Sequence, residues 1–137
     1  TGYVIVRKAL AGIMDEADEK LIVELVQYLE QHRDRNWIDL HNLRIIRYGA
    51  ILHLDCHLTV PWYFNVHEAH REVDKLSELV KRNYGESVEL FVHTDGCLDY
   101  SCALCTISDC QVRKKEFVRR LVWTEEEVMH NSKHRLD

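Results

Sequence analysis

Over residues 15–31 apolar side chains recur every three or four positions, with Ala17, Leu21, Ile22, Leu25, Val26 and Tyr28-Leu29 forming one stripe. Asp15, Glu16, Asp18 and Glu19 crowd the first turn, where the helix dipole favours negative charge, so an amphipathic helix is predicted from Asp15 to about Gln31. Arg33-Asp34-Arg35-Asn36 ends it. The period then falls to two. Leu40–Tyr48 and Ile51–Val60 predict strands joined at Gly49-Ala50, because glycine tolerates the positive φ of a tight hairpin turn. In the second strand Leu52, Leu54, Cys56, Leu58 and Val60 alternate with His53, Asp55, His57 and Thr59. One face predicts core; the other carries two histidines and a carboxylate. A two-residue loop sets Arg44 opposite Asp55, Ile46 opposite His53 and Asn42 opposite His57, and turns His41 toward the core unless the strand starts irregularly.

Helical spacing returns after Pro61-Trp62-Tyr63-Phe64. Asn65 is placed to cap a helix running to about Asn83, with Glu68 completing a capping box and Val66, Ala69, Val73, Leu76 and Val80 as the buried stripe. His70 lies on the flank of that stripe, one turn before Asp74. Tyr84-Gly85 stops the helix, and a strand from Val88 follows, with Val88, Leu90 and Val92 on one face and Phe91, His93 and Asp95 on the other. Further on, Gln111–Val118 alternates weakly, as an edge strand would, Thr124 can cap a short helix, and residues 130–134 suggest a loose tail. Helix, strand, strand, helix, strand predicts an α+β fold, a ferredoxin-like or metallochaperone-like α-β-β-α-β sandwich with a cysteine-rich metal-binding extension. Helices on one sheet face leave His53, Asp55, His57, His93 and Asp95 near one another on the other.

At 137 residues, 46% apolar and 30% charged, the chain is long enough for one domain with a core. A net charge of −5 argues against a nucleic-acid surface, and no run approaches the roughly 18 apolar residues that span a bilayer. No signal peptide is visible. The opening Gly2-Tyr3-Val4-Ile5-Val6, without an initiator Met, reads like the end of something longer. The predicted division is therefore a lead-in over 1–14, an α+β domain over 15–96, and a four-cysteine extension and tail over 97–137. Five cysteines, four of them clustered, favour a reduced compartment with metal-bound thiolates, while disulfides within the cluster remain an alternative.

Four short motifs in order carry a family resemblance. His41-Asn-Leu-Arg44 after Trp37-Ile-Asp39, His57-Leu58, Glu68-Ala-His70 and Val92-His-Thr-Asp95 resemble the C-terminal cytoplasmic domain of the cation diffusion facilitator, or cation efflux, family. Leu10-Ala-Gly-Ile-Met-Asp15 is similar to the segment that follows the last transmembrane helix in that family. The resemblance spans roughly Leu10 to Asp95. It implies a homodimer at the cytoplasmic face of a membrane, attached to a transmembrane part that exports divalent cations, usually zinc, by cation–proton antiport. Carried over by position, it implies metal ligands at His41, His57, His70, His93 and Asp95, with a pair of ions near the dimer interface in several members. Gly96 departs from the proline common in relatives, which mostly end soon afterwards. The cysteines thus fall outside the resemblance.

Imidazole and carboxylate suit zinc and similar divalent cations, and neutral histidines lose metal as pH falls. The alternative for each histidine is a solvated or hydrogen-bonded surface residue. His53 and Asp55 match no family ligand and are expected either to support the ligands through hydrogen bonds or to stay solvated, with Asp55 paired to Arg44. Cys97-x4-Cys102-x2-Cys105-x4-Cys110 supplies enough thiolates for a closed, structural tetrahedral zinc site. Its first three members also follow the order of plant-type iron–sulfur proteins. Cys56 alternates with core leucines and is expected to be buried and inert. The expected function is a regulatory and dimerisation domain of a zinc-type efflux transporter. The alternative is a free-standing metallochaperone or iron–sulfur module centred on the cysteines. A hydrolase is disfavoured, since no general base stands apart from the ligands.

Overall fold

The computed structural model describes residues 16–136; the lead-in, Leu10–Asp15 and the predicted helix start at Asp15 lie outside the described residues. Helix α1 runs Glu16–His32, strands β1 Asp39–Tyr48 and β2 Ile51–Val60, helix α2 Val66–Tyr84 and strand β3 Val88–Gly96. A 3-10 turn over Asp99–Leu104 and a short helix α3, Glu125–Val128, follow. The sheet order is β1-β2-β3, with β1 antiparallel and β3 parallel to the central β2. This is the α+β, ferredoxin-like arrangement that the alternating periods predict.

The core forms where the two apolar stripes meet the sheet. Ile22, Leu25, Val26 and Leu29 of α1 and Leu76, Leu79 and Val80 of α2 pack with Leu52, Leu54, Cys56, Leu58 and Val60 of β2. Each fully buried Leu or Val contributes about 1.5–3 kcal/mol through lost apolar exposure. Gly49 takes φ 58° at the hairpin turn, and Asn65 and Glu68 form the expected capping box on α2. Two stripe positions were misplaced. Ala17 is exposed while its neighbour Asp18 is buried against the guanidinium of Arg47 at 2.9 Å. Val66 is 82% exposed; α2 packs on the core only from Ala69 onward.

The largest correction concerns the hairpin register. Arg44 faces Asp55 and Ile46 faces His53 as expected, but His57 is paired with His41 rather than with Asn42. Between His41 and Arg44 the register shifts, so two residues of β1 oppose one of β2. Asn42 adopts φ 54° there, a left-handed conformation that asparagine tolerates better than most side chains. The shift turns His41 away from the core and onto the face of His57.

Residues 111–118 form no edge strand. Arg113 donates to the carbonyls of Cys102 at 2.8 Å, Cys105 at 2.9 Å and Ile107 at 2.8 Å, which winds the segment around the cysteine turn instead. Nor are residues 130–134 loose: the Asn42 N–H donates to the His130 carbonyl at 2.6 Å, and His134 is buried. A second small core of Ile38, Leu104, Cys105 and Ile107 takes in Cys97, Cys110 and Leu136 at its margin.

The bulge generates a prediction. Asn42→Val, placing a β-branched residue at positive φ, is expected to destabilise the protein by about 1–2 kcal/mol, and Asn42→Gly to be close to neutral. Urea unfolding of both variants measures this, and a valine variant as stable as wild type would mean that the left-handed turn is not constrained.

Candidate metal centre

On the sheet face away from the helices, the strands set two rows of side chains. His41, His57 and His93 are paired across β1, β2 and β3, and Asp39, Thr59 and Asp95 are paired in the next row. The imidazoles follow one another closely, with centroids 5.1 Å apart from His41 to His57 and 5.0 Å from His57 to His93. Asp95 leans into the first of these gaps. Its Oδ2 lies 3.5 Å from His41 Nε2 and 3.2 Å from His57 Nδ1. Each of His41, His57 and Asp95 thereby offers one donor atom within 4.8 Å of the others.

His41 is buried, and burial pushes its pKa below the ordinary value even though Asp39 and Asp95 pull the other way. The ring is thus held neutral near pH 7, the state in which a nitrogen lone pair can bind a cation. Its Nδ1 is buried without a hydrogen-bond partner, 3.7 Å from Asp39 Oδ2. Two imidazoles and a carboxylate drawn together, one ring carrying an orphaned buried nitrogen, are a donor set that fits a zinc-type divalent cation.

Asp39 is the functional neighbour that the sequence did not flag. It accepts hydrogen bonds from the His134 backbone N–H at 2.8 Å and pairs with His134 Nδ1 at 2.6 Å. That hydrogen bond raises the His134 pKa above the ordinary imidazole value against the opposing effect of burial, and Glu127, 3.3 Å from Nε2, adds to it. Signals for these residues did exist: Asp39 sits two positions before His41 on one strand, and His130 and His134 are four apart.

The other candidates lie apart from this triad. His93 is exposed, stacked on His57, with Nε2 3.5 Å from Asp55. Asp55 therefore faces His93 rather than Arg44, whose guanidinium donates to the Met129 carbonyl and the Asn131 side chain. His70 is on the exposed flank of α2, 3.4 Å from Asp74. His53 meets Glu89 at 3.4 Å.

All five cysteines are free thiols. Cys56 is buried in the main core and its pKa is pushed up to about 12, which keeps it protonated. Of the four clustered sulfurs, that of Cys102 accepts a hydrogen bond from the Lys114 N–H at 3.5 Å. Burial first, and then the neighbouring sulfurs, raise the pKa of Cys97. Burial likewise raises that of Cys105. The sulfurs are not drawn in to the spacing of the His/Asp triad. Gly96, which joins the two groups, runs under Trp62, and a Cβ there would lie 3.2 Å from the Trp62 Cβ.

A family model described as cation efflux protein, cytoplasmic domain, matches residues 17–97, more than half of the chain. The fold is similar to that of the metal-bound C-terminal domain of the CzcD transporter from Thermotoga maritima, at 18% identity and a TM-score of 0.51, covering 61% of this chain and 94% of that one. It is also similar to the cytosolic domain of a cation diffusion facilitator family protein, at 19% identity and a TM-score of 0.51, covering 62% and 98%. No curated protein sequence matches. Among the described residues no helix is long and apolar enough to cross a membrane.

The Asp39–His134 pair has a pH signature. Because the folded pKa of His134 is raised above its unfolded value of about 6.5, its contribution is fully present below about pH 6.5 and is lost as pH rises through the folded value. In metal-free protein the stability difference between wild type and His134→Gln is expected to be about 2 kcal/mol near pH 6, as for a charge-assisted hydrogen bond, and to shrink toward about pH 9. Urea midpoints measured across that range check it, and a difference that grows with pH would contradict the assignment.

Proposed function

The chain belongs to the cation efflux family, and from that membership we propose that it is the metal-binding and dimerisation domain of a zinc-type efflux transporter, with the transport step in a membrane-embedded part. The observation that carries this reading is the convergence of His41, His57 and Asp95, with donor atoms within 4.8 Å of one another on the sheet face opposite the helices. These three residues would hold a divalent cation. His93, stacked on His57, and His70, exposed on α2, would serve a further ion shared with a second copy of the chain, since neither joins the triad within one copy.

Regulation follows from linkage. A cation binds best to the arrangement that presents every ligand, so rising metal concentration shifts the population toward that arrangement and toward the dimer. Two chains of net charge −5 repel one another, and bound cations offset that repulsion. His41, kept neutral by burial, needs no deprotonation near pH 7 to bind a cation.

Residues 97–137 would form an accessory module grafted onto the family domain, in which Cys97, Cys102, Cys105 and Cys110 hold a structural zinc. The Lys114 N–H that donates to the Cys102 sulfur and the gathering of Cys97, Cys105 and Cys110 in one small core support this. Arg113, bridging three carbonyls of the turn, pre-sets its shape.

Native mass spectrometry of zinc-loaded protein tests both sites. Wild type is expected to carry about two ions per chain or more, His57→Ala/Asp95→Ala to retain about one, and Cys102→Ser/Cys105→Ser to lose that one. Unchanged metal content in the His57/Asp95 variant would overturn the assignment of the sheet-face site.

A further inference from the structure

The residues after α3 lie outside the matched family domain and yet reach its metal centre. The tail first follows the free edge of β1, through the His130 carbonyl to Asn42 and the Met129 carbonyl to Arg44. His134 then fastens on Asp39, Arg135 lies over the Tyr100 ring at 4.3 Å, and Leu136 packs against the cysteine-module core. Between these anchors sits Lys133, whose side chain is only 15% exposed. Its ammonium donates to the Gly96 carbonyl at 3.1 Å and lies 4.0 Å from Asp95 Oδ2. That oxygen is the same one that faces His41 Nε2 and His57 Nδ1.

We propose that Lys133 is a tethered resident cation of the metal centre, neutralising the Asp95 oxygen that a divalent ion must take, so that metal binds by displacing it. The proposal rests on the assignment of His41, His57 and Asp95 as a metal site. A monovalent ammonium and a divalent ion cannot both occupy the first few ångströms around one carboxylate oxygen in a partly buried site without strong mutual repulsion. Asp39 does not serve as an alternative partner for Lys133, since His134 already engages both of its oxygens. With the chain held at His130 on one side and at His134 and Leu136 on the other, the backbone keeps Lys133 close. Its ammonium can swing outward on a flexible stem, so competition is graded rather than absolute. The tail would therefore set the metal concentration at which the domain responds, and the cysteine module, by seating Leu136, would hold the tail in place.

Zinc titration of the full 137-residue chain against a competing chelator tests this, with His57→Ala defining the binding component that belongs to the triad. Lys133→Gln is expected to tighten that component by about three- to tenfold, the range for removing one partly buried charge competitor. Lys133→Arg, which keeps the charge, and Lys115→Gln, which removes an exposed lysine elsewhere, are each expected to stay within about twofold of wild type. Unchanged or weakened affinity in Lys133→Gln, with a triad component present in wild type, overturns the tethered-cation role alone. If His57→Ala removes no component from wild type, the metal-centre assignment falls and the role of Lys133 with it.

Discussion

One inserted residue in β1 decides the chemistry of this domain. Without the register shift between His41 and Arg44, the hairpin would align His41 with the core leucines of β2, and an imidazole would be buried among apolar side chains. With it, His41 pairs with His57, and the row extends through His57 to His93 on β3. The extra residue leaves an additional backbone donor at the sheet edge, and the Asn42 N–H finds its acceptor in the His130 carbonyl. The irregularity that completes the triad is thus also the place where the C-terminal tail attaches. An edge strand that would otherwise offer unpaired groups to solvent is covered by the same contact.

Burial on that face is selective, and the charge pattern follows it. Asp39 and His41 are buried while His93 and Asp55 lie toward solvent. A buried carboxylate is tolerable only with a strong partner, and Asp39 has one in His134, which supplies both a ring nitrogen and a backbone N–H. Relieved of that demand, His41 can remain neutral between Asp39 and Asp95. Asp39 and Asp95 so close to the His41 ring would, in an open site, favour its imidazolium form and weaken cation binding; burial of His41 reverses the balance.

The regular elements were legible because each carries an unambiguous period. Strict alternation in β2 and the capping box at Asn65 and Glu68 identified their elements directly, and four histidine and carboxylate motifs in order pointed to the family. The register at His41 was not legible, because pairing counted from the Gly49-Ala50 turn assumes an unbroken ladder, and the sole local sign of a break is an asparagine able to adopt positive φ. The rest of the extension was missed for a different reason. Apart from the short helix that Thr124 caps, as read from the sequence, residues 111–136 carry at most a weak alternation; Arg113, His134 and Leu136 order them through contacts with partners distant in sequence or with bare carbonyls, which no window of neighbouring residues reveals. Asp55 shows the same limit. Its cross-strand neighbour Arg44 lies opposite it as the pairing requires, but the tail offers that guanidinium the Met129 carbonyl and the Asn131 side chain, leaving the carboxylate to His93.

The histidine centre and the cysteine cluster are not mechanically independent, since Asp95, Gly96 and Cys97 are consecutive. The Cys97 N–H donates to the Val60 carbonyl at 3.0 Å, continuing the β2–β3 ladder past its last paired residue. Trp62 closes over Gly96, its Cβ 3.2 Å and its Cα 3.3 Å from where a Gly96 Cβ would lie. A side chain at Gly96 would push against Trp62, which accounts physically for glycine at this point in a chain that continues into a cysteine module. Whatever fixes the Cys97 sulfur therefore fixes a backbone carbonyl and, one residue before it, the carboxylate that faces both His41 and His57. Lys133 joins the same junction from the other side, through the Gly96 carbonyl. The three residues at the end of β3 are where family domain, extension and tail meet, and the position of the Asp95 oxygen depends on all three.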